Sequence, residues 1–220
     1  WCLFRGNSAR IMEKFWLKRY PTGVPEMLKL DPAETLIDVF EKAVRDFGKR
    51  PAYSNFGKTI SFADLSVLSA RFAAYLQNKL GLEKGDRVAI MLPNTLQYPI
   101  ALFGILRAGM VVVNVNPLYT HRELQHQLKD SEAKAIVIVA NSGAVLQEAI
   151  AEGGTQIRAI IVTEIGDMLD SPKRQIVNFV VRHIKRLVPD YKLKFPVAFR
   201  DVVAADSKVF QRPREMDGSD

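Results

Sequence analysis

Cysteine is almost absent: the one thiol in 220 residues is Cys2. That excludes a disulfide framework and a cysteine-based metal site, and a reducing, cytoplasmic setting is expected. Long apolar runs are missing too. The longest, Pro99 to Leu106, ends at Arg107 and falls far short of the roughly 18 residues that a membrane span needs. No Gly-x-Ser-x-Gly elbow is present, so hydrolase chemistry has no support. Of the three histidines, His121 and His126 stand five apart rather than four, which puts them on different helix faces and excludes paired metal ligation. His183 lies in a basic stretch, and all three read as surface or helix-end residues. A nucleotide site would need glycine amides between a strand and a helix N-terminus. Gly81, Gly85 and Gly153-Gly154 instead precede strands, while Gly104 and Gly109 read as helix packing and a helix stop. Interleaved aromatics among the bases are lacking, so no nucleic-acid partner is assigned.

What is present suffices for a sizeable core, since 48% of the residues are hydrophobic. The formal charge of +7 is local. Between Ser171 and Arg200, eight bases face one acid, Asp190, and the rest of the chain is balanced. The sequence divides into an N-terminal extension (1–30), an α/β subdomain (31–165), a basic amphipathic helix with its connection (166–205) and a polar tail (206–220). Residues 1–11 read as an upstream extension, with Met12 as the start.

Asp31-Pro32-Ala33-Glu34 predicts a capped helix start, with Leu36, Phe40, Val44 and Phe47 on one face and Gly48 as a left-handed stop. Ala52–Asn55 and Lys58–Ile60 predict a hairpin turning at Phe56-Gly57. Ser61 caps the next helix, striped by Leu65, Leu68, Phe72 and Leu76 and ended by Gly81. Arg87–Leu92 is apolar on both faces, as a central parallel strand should be. Asn94 is the expected cap of a helix through Arg107, with Leu96, Ile100, Phe103 and Leu106 inward, followed by a second buried strand over Met110–Val115. A Thr120/Glu123 capping box, strand Ala135–Val139, helix Gly143–Ala151 and strand Ala159–Val162 complete the alternation. Such alternation predicts right-handed crossovers and a mostly parallel, doubly wound α/β sheet with flanking helices.

Two segments invite a functional reading. Asn114 and Asn116 close a strand at its carboxyl end, where open α/β sheets place ligands, so NVNPLYT either lines a site or is an Asn-Pro turn. Residues 172–188 read as one basic amphipathic helix. Ile176, Val177, Val180, Ile184, Leu187 and Val188 cluster on one side, and Lys173, Arg174, Arg182, Lys185 and Arg186 crowd the other. Such a helix either lies in an anionic lipid interface or docks on the sheet with its bases solvated.

The stretch LGLEKGDRVAIMLPNTLQYPIALFGILRAGMVVVNVNPLYT (80–120), with EKFWLKRYP (13–21) and NFVVRHIKRLVP (178–189), resembles bacterial long-chain fatty-acid–CoA ligases of the adenylate-forming superfamily. The resemblance runs from about Met12 to the end. It implies an ATP-dependent enzyme in which a fatty carboxylate attacks the α-phosphate, pyrophosphate leaves, and the coenzyme A thiol captures the acyl-adenylate. Magnesium would screen the phosphates. The superfamily's YTGGTTG-type phosphate loop is not among these residues, and Asp220 falls roughly where it would begin. The expectation is therefore a front portion of the enzyme, with no catalytic, cofactor or metal residue of its own, inactive alone and prone to association or homo-oligomer formation through uncovered apolar surface. Another acid–CoA ligase and a non-catalytic membrane-bound relic are the alternatives. A cytoplasmic location, with peripheral contact to the inner face of the membrane, is the expected setting.

Overall fold

The computed structural model describes residues 14–27, 34–204 and 210–213. After a short 3-10 turn, Phe15–Arg19, the first helix is α1, Leu36–Phe47. Its N-cap is Thr35, whose hydroxyl accepts from the Asp38 amide while Asp38 reaches back to the Thr35 amide, so the helix begins after the expected Asp31 start. Asp31 itself lies outside the described residues. The inward face is turned in part: Phe40 is buried as expected and Val44 packs on the core, but Ile37 is buried while Leu36 and Phe47 are exposed. Gly48 keeps right-handed helical angles instead of the expected left-handed ones.

Strands β1 (Pro51–Asn55) and β2 (Lys58–Ser61) form the hairpin, with both turn residues, Phe56 and Gly57, at positive φ. Two consecutive left-handed residues match the right-handed twist of the flanking strands. Ser61 then caps α2, Phe62–Asn78, in a box with Asp64.

The main sheet holds β3 (Arg87–Met91), β4 (Val111–Asn114), β5 (Ala135–Val139), β6 (Ala159–Thr163) and β7 (Val197–Ala198), all parallel, in the order β4-β3-β5-β6-β7. Its helices are α3 (Gln97–Arg107), α4 (His121–Asp130), α5 (Gly143–Ala151), α6 (Lys173–Phe179) and α7 (Phe199–Ala204). One core packs α1, α2, α3 and α7 on one face, centred on Phe72, Leu76, Ile90, Ile100 and Phe199. The other core packs α4 and α5 through Leu124, Leu128, Leu146 and Ile138. Each such side chain, fully buried, contributes roughly 1.5–3 kcal/mol. The doubly wound α/β expectation therefore holds.

Three details differ from the expectation. Asn94 does not cap α3; its carbonyl accepts from Asn55 Nδ2 of the hairpin, and the helix starts at Gln97. The expected buried strand at 110–115 is the sheet edge, with Val111 exposed, because among the described residues β4 has a neighbour on one side only. Residues 189–204, to which the sequence assigns no element, supply β7 and α7, and Phe199 and Val202 are fully buried. Beyond them, Phe210–Pro213 returns to the helices. Arg212 pairs with Asp38 at 2.8 Å and Glu41 at 3.0 Å, and the buried Arg107 guanidinium lies over the Phe210 ring at 5.1 Å and the Phe40 ring at 5.8 Å.

At the amino end of the sheet, Asp86 draws three strand starts together. Its carboxylate accepts from Lys134 and from the Glu83 amide, with Arg158 at 3.8 Å. Burial raises the Asp86 pKa, but these donors outweigh it and leave it below the usual carboxylate value.

Candidate functional site

The chain order reverses between β3 and β5: the connection after β3 runs over the α3 face, and that after β5 over the α5 face. In open α/β sheets the crevice at the carboxyl ends beside such a reversal is where ligands bind. Polar side chains converge near it, at the carboxyl end of β6, one strand beyond β5. Gln97, only 1% exposed, sits in the first turn of α3 and donates through Nε2 to Thr163 Oγ1 at 3.1 Å and to the Glu164 carbonyl at 2.9 Å. Thr163, the last residue of β6, donates its hydroxyl to Asp167 Oδ2 at 2.9 Å, and the Glu164 amide donates to the same oxygen at 2.8 Å. Asn178 on α6 donates to Asp167 Oδ1 and accepts from the Gly166 amide. Arg182 holds Glu164 Oε1 through Nε at 3.0 Å and a terminal nitrogen at 2.6 Å, which raises the Arg182 pKa further.

Of this cluster Thr163, Glu164, Asp167 and Arg182 line a cavity of about 360 Å³, together with Tyr191, Arg200 and Asp201, while Gln97 and Asn178 brace them from outside it. Burial pushes the Tyr191 phenol above its ordinary value, against the opposing pull of Arg182. The Tyr191 ring fills the space above Gly143, the first residue of α5, where a Cβ would overlap it. A glycine between strand and helix therefore exists, yet its open face is taken by an aromatic ring rather than offered to phosphate. Among the described residues no three His, Cys, Asp or Glu side chains gather as a metal site. The arrangement can recognise a polar group by charge and hydrogen bonding.

The sequence-derived candidates are spread over three places. Asn114 accepts from the Tyr98 hydroxyl at 2.9 Å, beside a cavity of about 300 Å³ between Tyr53–Asn55 and Asn94–Pro99. Asn116 caps its own turn by accepting from the Leu118 amide. The basic segment is an α-helix through Phe179 continued by a π turn, Val180–Ile184, and it ends at Arg186 with φ +51°, short of the expected 188. Lys173 bonds the Phe56 carbonyl of the hairpin, Arg182 pairs with Glu164, and Arg174 is half-buried. Lys185 and Arg186 are exposed and make no ion pair among the described residues. Sequence reasoning missed Gln97, Thr163, Asp167 and Asn178. The available signal was a glutamine opening an otherwise apolar helix and a threonine ending an apolar strand.

The AMP-binding enzyme family matches residues 40–195. A long-chain-fatty-acid–CoA ligase of Yersinia pestis is 55% identical over 192 residues, which cover 87% of this chain and 34% of that protein. Its counterpart in Haemophilus influenzae is 52% identical over 193 residues, 88% of this chain and 34% of that one. The chain thus spans about a third of the length of the curated relatives it matches. Among solved structures, the anthranilate CoA ligase AuaEII in complex with anthranoyl-AMP superposes with a TM-score of 0.63 at 16% identity, covering 82% of this chain and 30% of that one, a likeness of fold. With the family matched across most of the sheet and its helices, the chain belongs to the AMP-binding enzymes.

Proposed function

We propose that this chain forms the amino-terminal scaffold of an ATP-dependent ligase that converts a long-chain fatty carboxylate, through its acyl-adenylate, to the coenzyme A thioester. The observation that carries this reading is the 55% identity to a ligase of that name over 192 residues. ATP, magnesium and coenzyme A are assigned to the remainder of the complete enzyme. Among the described residues the glycines serve turns and packing, and Tyr191 occupies the strand-to-helix cradle at α5. This chain contributes the floor of the carboxyl-end crevice, with Gln97, Thr163 and Asp167 holding its shape and Asn114, through Tyr98, bordering one side.

The test is a chimera in which the matching 192 residues of the Yersinia pestis ligase are replaced by those of this chain. Long-chain acyl-CoA formation is expected to persist, and a folded chimera that lacks it refutes the reading. The 220-residue chain alone is expected to release no pyrophosphate from ATP; acyl-AMP made by it would move the ATP site into these residues.

Peripheral membrane contact through the basic helix belongs to the same proposal. Ile176, Phe179, Ile184 and Leu187 are all more than half exposed, and Lys185 and Arg186 stand beside them without ion pairs among the described residues. Each such base adds about 1 kcal/mol of attraction near an anionic surface. Lys173 and Arg182 are engaged within the fold and contribute less. Sedimentation with phosphatidylglycerol vesicles is expected, and to weaken in a K185E/R186E variant; absent or unaltered binding removes this part. The same exposed apolar face supports self-association in solution, read by light scattering.

A further inference from the structure

At the end of β6 opposite the carboxyl-end crevice, a cavity of about 550 Å³ opens between α5 and the segment leading into β7. Ile150 and Ile157, with Ile160 and Leu193, give it an apolar lining. Its charged lining is of one sign: Lys192, Lys194 and Arg158, with no acidic side chain. The wall is anchored rather than draped. The Lys192 amide donates to Gln147 Oε1 on α5, Asn141 Nδ2 holds the Leu187 carbonyl, and the Tyr191 ring rests on Gly143. Phe195, 94% exposed, stands at the rim as an apolar side chain that nothing in the described fold covers. Arg158 is shared with Asp86 at 3.8 Å, which leaves Lys192 and Lys194 as the cations without an ion pair.

We propose that this cavity binds a single-chain anionic amphiphile, with the tail along the isoleucines and Leu193 and the head met by Lys192 and Lys194. The volume is that of a small-molecule pocket, and an apolar lining with a few polar groups of one charge selects a ligand with one apolar body and one anionic end. The inference stands apart from the adenylation reading, because its lining shares no residue with the carboxyl-end cavity.

Calorimetry of the 220-residue chain with decanoate and dodecanoate, each kept below its aggregation concentration, tests it. One saturable site is expected, with dodecanoate bound roughly tenfold more tightly, since two further methylenes leave water. Decan-1-ol, lacking the charge, should bind at least tenfold more weakly than decanoate. A K192E/K194E variant, altered only at exposed positions, should lose at least tenfold in affinity. Ala151→Trp, exposed and on the cavity lining, should block binding while the circular dichroism spectrum stays unchanged. Absence of a saturable site, equal affinity in either variant, or uptake seen only with phosphatidylglycerol vesicles would overturn the proposal; the last outcome would identify a membrane surface instead.

Discussion

Glycine inside a helix normally weakens it, so Gly104→Ala in α3 would ordinarily be expected to stabilise the chain by about 1 kcal/mol. The structure reverses that sign. A Cβ at Gly104 would sit 2.7 Å from Phe72 Cδ1, 2.9 Å from Phe72 Cβ and 3.1 Å from Cγ. Two of those atoms lie near the α2 backbone, so no rotation of the ring tip relieves the contact. Retreat is blocked as well, because Phe72 is fully buried and packs on Phe199 with ring centroids 5.5 Å apart. Overpacking of this kind costs about 1–3 kcal/mol, and the rigid neighbour puts it toward the upper end. After the propensity gain is subtracted, a net loss of about 1–2 kcal/mol remains. For a chain of this size that corresponds to a melting temperature lower by roughly 2–8 °C. Urea unfolding followed by circular dichroism measures it, and the double variant with Phe72→Leu should recover part of the loss as a coupling of about 0.5 kcal/mol or more. A more stable Gly104→Ala, or strictly additive effects, would refute the claim that α2 and α3 touch at this glycine.

Three further outcomes are expected. Asp167→Ala removes the acceptor of the Thr163 hydroxyl, the Glu164 amide and Asn178, and should cost about 2–3 kcal/mol in urea unfolding, against about 1 kcal/mol for Asp167→Asn, which keeps one oxygen; equal costs would contradict the network. Ser61→Ala should destabilise by about 1 kcal/mol. The Ser61 amide and hydroxyl hold the Asp64 carboxyl below its usual value, so that stabilisation is present above the unfolded carboxyl pKa and lost as pH falls through the folded one. The variant's stability should therefore vary less with acid pH, and an unchanged acid profile would count against the capping box. The Tyr191 phenol, raised by burial, holds its proton in the folded chain where the unfolded chain has lost it, so stability is intact below the unfolded tyrosine pKa and declines as pH rises toward the folded one. Gly143→Ala displaces the ring and should return one phenol toward its ordinary titration in ultraviolet difference spectra.

Much of the fold is legible because its signals are local. The boxes at Ser61/Asp64 and Thr120/Glu123 each join residues three apart, so sequence spacing alone determines where α2 and α4 begin. Phe56-Gly57 is a turn that two positive φ angles define within four residues. The errors arise where a distant segment decides. Asn94 has the chemistry of a cap, but Asn55, 39 residues earlier, takes its carbonyl, and the chain continues as a loop to Leu96. Leu36 follows the helical period of α1, yet the faces that α2 and α3 present select Ile37 beside the expected Phe40 and leave Leu36 outside. β7 is two residues long, too short to carry any period, and joins the sheet only through β6.

The carboxyl-end crevice obeys the same division, and this explains why its residues escaped notice. Thr163, Glu164 and Asp167 form a local turn that any threonine-to-aspartate spacing of four could suggest, but nothing in that spacing marks it as more than a turn. It becomes a polar cluster when Gln97, 66 residues earlier, enters from α3, and Asn178 and Arg182 arrive from the basic helix. The bases that gave that helix its amphipathic character are thus divided by tertiary structure: Arg182 is turned into the crevice and Lys173 onto the hairpin, while Lys185 and Arg186 stay outside. A charge run in sequence counts cations without saying which are already satisfied. Of the five, Arg182 is neutralised by Glu164, Lys173 is tied to the hairpin and Arg174 is half-buried, so any membrane affinity should depend most on Lys185 and Arg186, which stay exposed beyond the π turn.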